Sequence, residues 1–192
     1  MTLNNWPIGK CMFNKKTLYL LLIFSLTYTF SLFSQESYEE IPKGFHDFIF
    51  GDSLEIVKGK LKNDSYFSYR GDPDVSMMLT PDRSIIDTAG SGFIKRAFFI
   101  FLDEKLYQIT LVLEEELIDF YTFQTEFTKK YGNPDSLDPS GMIWENEYNR
   151  ISLEYPLSIK YVDLEVFNGI LAESEANRSK EQVLREDFIK SF

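Results

Sequence analysis

"FIKRAFFIFLDEKLYQITLVLE", residues 93–114, is the stretch on which the fold turns. Two runs rich in Phe, Ile, Leu and Val, 93–102 and 105–114, stand on either side of the charged break "DEK". Aromatic and β-branched side chains flanking a short polar turn predict a β-hairpin. In the second run Tyr107, Ile109, Leu111 and Leu113 alternate with Gln108, Thr110 and Val112. A strand places every second side chain on one face, so these four are expected to define the buried side.

Working outward, a helix is expected on each side of this hairpin. In "FHDFIFGDSLEIVKGKLKND" (residues 45–64) Phe45, Phe48 and Phe50 suit an extended entry, and Asp52 with Glu55 three residues on forms a capping box. Leu54, Val57 and Leu61 then share one helical face, widened by Ile56, with the end near Asn63. In "LIDFYTFQTEFTKKYGNP" (residues 117–134) Leu117, Phe120, Phe123, Phe127 and Tyr131 line one side with Tyr121 beside them. Lys129 and Lys130 suit the negative helix end, Gly132 the left-handed cap, and Pro134 the stop. Glu114, Glu115 and Glu116 suit the positive end of this helix.

The remaining segments read as strands. "YFSYR", "VSMMLT" and "RSIIDT" precede the hairpin, and "MIWEN", "RISLEY" and "SIKYVDLEVF" follow the second helix. Runs of strands with one helix per half predict an α+β fold, an antiparallel sheet with helices on one face. The expected organisation is a signal peptide at 1–34 and a single α+β domain at 36–167. Its possible halves are 52–113 and 117–167, two tandem α-β units, and a C-terminal helical tail occupies 168–192.

The leader reading rests on "FNKKTLYLLLIFSLTYTFSLFSQES" (residues 13–37). Lys15 and Lys16 precede an apolar run from Leu18 to Phe33, the layout of a secretory signal. A membrane-spanning helix needs about 20 predominantly apolar residues. This run is shorter and diluted by Ser25, Thr27, Thr29 and Ser31, so cleavage near Ser34 is expected, with an uncleaved N-terminal anchor as the alternative. Met12 offers a second start with a more ordinary leader than Met1. A periplasmic or secreted location follows, with no stable membrane span after signal removal. Cys11, the one cysteine, lies before the apolar run, so the exported part has neither a lipid-attachment cysteine nor a disulfide.

From Glu36 on, all 30 acids remain against 17 of the 20 bases, Lys10, Lys15 and Lys16 being lost, a balance of −13. Such a surface repels phosphate backbones, so nucleic acid is not expected as a partner.

Candidate chemistry is sparse. His46 is the sole histidine, without a recognisable nucleophile, and packing beside Phe45 and Phe48 is the expected role. Asp72 and Asp74 in "GDPD", and Asn133, Asp135 and Asp138 in "NPDSLDPSG", offer oxygen ligands but lack the calcium-loop pattern and read as turns. Trp144, Tyr148, Tyr155 and Tyr161 could line a groove, but core positions are the expected ones. In the tail, Val183, Leu184 and Phe188 form an apolar stripe after the polar "AESEANRSKEQ". It either packs back on the domain or docks into a partner.

"FIFGDSLEIVKGKL" (residues 48–61) and "KKYGNP" (residues 129–134) resemble the helix entry and exit of small bacterial envelope domains. These are the BamE-type outer-membrane assembly lipoproteins and the beta-lactamase-inhibitor-protein fold. The resemblance covers roughly the exported chain as two α-β units and implies protein binding through an open sheet face, without catalysis. The chain departs from it in lacking a lipid-anchor cysteine and disulfides.

The expected function is therefore an exported, non-enzymatic binding protein that needs no cofactor or metal. It engages an envelope protein or small ligand through its sheet face or C-terminal helix, with Val183, Leu184 and Phe188 as docking residues. The alternative is a small carbohydrate or cell-wall hydrolase using paired carboxylates.

Overall fold

In the computed structural model the hairpin is formed by β5 (Ile94–Leu102) and β6 (Lys105–Leu113). Its turn residues Asp103 and Glu104 both have positive φ, 47° and 60°. That is the type I′ pattern, whose twist matches the strands it joins. The structure describes residues 16, 38–78 and 82–191. All but residue 16 belong to the unit Tyr38–Phe192. The leader expected at 1–34 otherwise lies outside the described residues.

A two-stranded ribbon, β1 (Gly44–Phe45) and β2 (Phe48–Ile49), leads into helix α1 (Leu54–Leu61). After a short 3₁₀ turn at Asp72–Asp74, strands β3 (Val75–Met77) and β4 (Arg83–Ala89) precede the hairpin. Helix α2 (Phe120–Tyr131) follows it, then β7 (Ser136–Asp138), β8 (Gly141–Glu145), β9 (Asn149–Glu154) and β10 (Ser158–Asp163). The chain closes on the long helix α3 (Leu164–Lys190).

Eight strands form one antiparallel sheet in the order β3-β4-β5-β6-β10-β9-β8-β7. Each half is thus a helix followed by a four-stranded meander, and the last strands of the two meanders pair in the middle. Leu111 lies opposite Ile159 and Ile109 opposite Tyr161. The fold is α+β, with α1 and α2 on one face of the sheet and a C-terminal helix.

Each helix covers an aromatic cluster of its own half. Under α1, Phe48, Phe67 and Phe99 meet at ring distances of 4.9–5.6 Å, with Val57 and Leu61 fully buried beside them. Under α2, Phe127 meets buried Trp144 edge-on at 5.6 Å. Trp144 Nε1 donates to the Gly132 carbonyl at 2.9 Å, tying the end of α2 to β8. Gly132 has φ 87°, and a side chain there would press on the Tyr38 ring at 3.1 Å. Glycine is required at this cap for both reasons.

Several local expectations are corrected. The cap of α1 is Ser53, whose hydroxyl accepts from the Ile56 N–H. Asp52 instead accepts from the Ile49 N–H and from Lys60, and Glu55 pairs with Lys58. Ile56 is half exposed and does not widen the buried face. Asp119 caps α2, so Leu117 precedes the helix rather than lying on its face, and the three glutamates precede it as expected. The segment around Phe67 makes a single bridge to Gly90 in place of a strand. The C-terminal helix begins at Leu164, four residues before the expected tail, because Asp163 accepts from the Glu165 and Val166 N–H groups. Within "NPDSLDPSG", read as loop, β7 makes a three-residue edge strand between Pro134 and Pro139.

A bulge alters the reading of β6. Phe99 faces Ile109, but Phe101 faces Leu106, so one extra residue enters β6 between them. Leu106 joins the core cluster with Ile109, Leu111 and Leu113, whereas Tyr107 is buried outside that cluster. Extra residues of this kind re-aim a side chain and increase twist.

Replacing Trp144 by Phe removes the donor to Gly132 and leaves that carbonyl unsatisfied. A loss of about 1–3 kcal/mol is expected, read from the urea midpoint at unchanged slope.

Candidate functional site

Because α1 and α2 occupy one face of the sheet, neither covers the other face. The register sets its side chains in rows across the strands. One row runs Asp87, Phe98, Thr110, Lys160, Ser152 and Ile143. A second holds Ile85, Ile100, Gln108, Val162, Arg150 and Glu145. The first half of the sheet presents Ile85, Phe98, Ile100 and Val112, and the second half presents ion pairs. Arg150 meets Glu145 at 2.7 Å, and Lys160 meets Glu154 at 2.7 Å. At the boundary of the apolar half, Arg96 pairs with Asp87 and lies over the Phe98 ring at 5.2 Å.

Helix α3 roots at the end of this face. Tyr107, Val162 and Leu164 are buried without belonging to the main core, and they gather where β10 passes into α3. Burial pushes the Tyr107 hydroxyl above its ordinary pKa, opposed by the nearby Arg83 charge. Between α3 and the sheet runs a cleft of about 370 Å³, walled by Leu102 and Ile170 with Arg83, Glu173, Asn177 and Arg178 around it. Among the described residues the Arg83 guanidinium has no ion pair, whereas Arg70, Arg96 and Arg150 each have a carboxylate partner. A half-buried guanidinium with no acceptor is a ready site for a carboxylate or phosphate group.

Beyond Ile170 no residue of the helix is buried, although Glu173, Asn177 and Arg178 still border the cleft. At 1.5 Å per residue α3 is about 40 Å long, and only its first two turns are partly buried. Every residue from 171 to 191 is exposed. Val183, Leu184 and Phe188 stand there with 57–69 % of their surface accessible. No described helix is long and apolar enough to cross a membrane.

The other candidates separate. Trp144 and Tyr161 are core residues, but Tyr148 and Tyr155 are exposed, which corrects the expectation that all four are buried. Burial raises the pKa of Tyr161 strongly, with Tyr131 adding to it. His46, at φ 50°, lies tilted against Phe45 at 4.3 Å and meets Tyr66 edge-on at 4.9 Å. Asp135 accepts from the Glu145 N–H, and Asp138 from Ser140 and Gly141, so both carboxylates serve turn backbone. Asp138 and Asp119 are held below the ordinary carboxylate range by these and by the Thr122 hydrogen bonds respectively.

Asp74 is the buried carboxylate. Burial pushes its pKa up, but the Arg70 N–H and guanidinium, with Thr88, hold it below the ordinary 3.8. Asp74 and Arg70 thus clasp the turn before β3.

An α+β domain whose antiparallel sheet carries two helices on one face is the class these features define. The chain belongs to the TP0088 domain family, whose model matches residues 43–173. The match runs from just before β1 to the third turn of α3, and leaves Val183, Leu184 and Phe188 beyond it. No curated protein and no solved structure matches the chain.

A group with a lowered folded pKa contributes stability above its unfolded value and loses it as pH falls through the folded one. Asp74 should therefore contribute fully above about pH 4 and progressively less below it. Asp74→Asn should lower stability at neutral pH by about 1–3 kcal/mol and flatten the acid limb, measured by denaturant titration across pH.

Proposed function

We propose that the protein is an exported, non-enzymatic binding protein that engages another envelope protein through its uncovered sheet face and C-terminal helix. The observation that carries this reading is the course of α3. It roots on the open face, and its far turns carry Val183, Leu184 and Phe188 with more than half of their surface exposed. Apolar side chains recurring on a helix at such spacing suit insertion into a partner's groove. The resemblance to BamE-type and inhibitor-type domains points the same way. Delivery to the periplasm or beyond is supported by the short apolar leader, and the acidic surface disfavours nucleic acid.

A small ligand is the second reading, and Arg83 favours it. The cleft beside α3 offers a guanidinium with no ion pair among the described residues, between the apolar walls of Leu102 and Ile170, with Asp82, Glu173 and Glu181 also on its lining. An anionic amphiphilic molecule would satisfy both.

A carbohydrate or cell-wall hydrolase has less support. Its general acid must hold a raised pKa. Asp74, Asp119 and Asp138 are each held below the ordinary carboxylate range, so none of these three suits that role. Turnover of a glycan abolished by one Asp or Glu substitution would favour the hydrolase.

The test is affinity capture from the native envelope with the wild type and with a Val183→Ser, Leu184→Ser, Phe188→Ser variant. Retention of the captured partner should fall at least about tenfold, as for loss of an interface hot spot. Unchanged retention would remove the docking role. Sequencing the N-terminus of the exported form should find it beginning after Ser34.

A further inference from the structure

One end of the sheet carries exposed aromatic and aliphatic side chains outside the main core. Phe93 precedes β5, Leu117 and Tyr121 enter α2, and Tyr155 lies between β9 and β10. They come from three separate turns, and each is 58–72 % exposed. Backbone hydrogen bonds lock those turns together. The Glu114 N–H donates to the Phe93 carbonyl at 2.9 Å, the Leu117 N–H to the Glu114 carbonyl at 3.0 Å, and the Leu113 N–H to the Leu157 carbonyl at 3.0 Å. Tyr155 stacks on Phe120 at 4.1 Å and 6°, which holds its ring in place before any partner arrives.

Single exposed apolar residues are ordinary, but aromatic side chains brought to one end of the sheet by hydrogen-bonded turns have the composition of an interface centre. Its surroundings select the occupant. Glu114, Glu115 and Glu116 run through the patch, and the cation nearest them in an ion pair, Lys95, reaches Glu114 only at 3.9 Å. Carboxylates beside aromatic faces attract guanidinium and ammonium groups, by charge and by cation–π contact. A neutral sugar gains nothing from this charge, and an anionic lipid surface is repelled by it.

We infer that this aromatic end of the sheet binds a Lys/Arg-rich segment of a partner protein. It is a second surface, remote in sequence from the α3 residues, so the molecule can hold two partners or two parts of one.

The experiment is fluorescence anisotropy of the full chain with a labelled peptide of alternating Arg and Gly. The peptide is expected to bind at low salt and to weaken as salt shortens the Debye length to about 8 Å. Two variants, Phe93→Ala with Tyr121→Ala and Glu115→Gln with Glu116→Gln, should each weaken binding at least about fivefold. A control with the same charge change on the distal helix, Glu181→Gln with Glu186→Gln, should stay near wild type. All six positions are exposed, and circular dichroism checks that each variant folds. An equal loss in the control would mean bulk charge attraction and overturn the site. So would unchanged binding by the Phe93/Tyr121 variant, or no binding of the peptide at low salt. None of these variants touches Val183, Leu184 or Phe188, so failure here leaves the capture experiment standing.

Discussion

The antiparallel pairing of β6 with β10 is the constraint on which the molecule depends. Five successive residue pairs, from Ser158 with Val112 to Val162 with Gln108, join two meanders that would otherwise each end in an open edge. Unpaired edges of that kind invite association with other chains. The pairing also merges two aromatic clusters into one core, since Ile109, Leu111, Ile159 and Tyr161 sit between them. Both partners are last strands of their meanders and they run antiparallel. The two halves are therefore related by a near two-fold rotation about the middle of the sheet, which puts both helices on the same face.

That symmetry is broken by α3. The first half continues from β6 into a loop and α2, whereas the second continues from β10 into a helix that roots at the end of the opposite face. The bulge at Tyr107 belongs to this asymmetry, because it supplies a large ring outside the main core near Arg83, at the root of α3. A tyrosine there fits a half-buried place with an apolar body and a polar tip.

Much of the fold was legible because alternation and helical spacing are local. The hairpin, the stripe of Phe120, Phe123 and Phe127, and the Gly132 stop could all be read from neighbours in the chain. What escaped was set by distant partners. Asp52 and Ser53 are both competent caps, and the choice falls to Ser53 because Asp52 is held by Ile49 and Lys60. Tyr107 fits the alternating pattern, but only the placement of Phe101 opposite Leu106 shows that the pattern slips. For the candidate site, the apolar tail residues were visible, yet their exposure depends on where α3 leaves the sheet. Tyr155 and Tyr161 look alike in sequence, and register alone sends one to a turn and the other to the core. The aromatic end was invisible because Phe93, Leu117, Tyr121 and Tyr155 come together only through turn-to-turn hydrogen bonds.

The outermost strands of the described sheet, β3 and β7, are three residues each, and β7 stands between Pro134 and Pro139. Proline has no amide hydrogen to offer a neighbour, and a three-residue ladder gains too little to align one. Polymerisation by stacking copies rim to rim is thereby discouraged at the β7 side. A chain so rich in Phe and Tyr can then accumulate in a crowded compartment without growing into fibrils through that border.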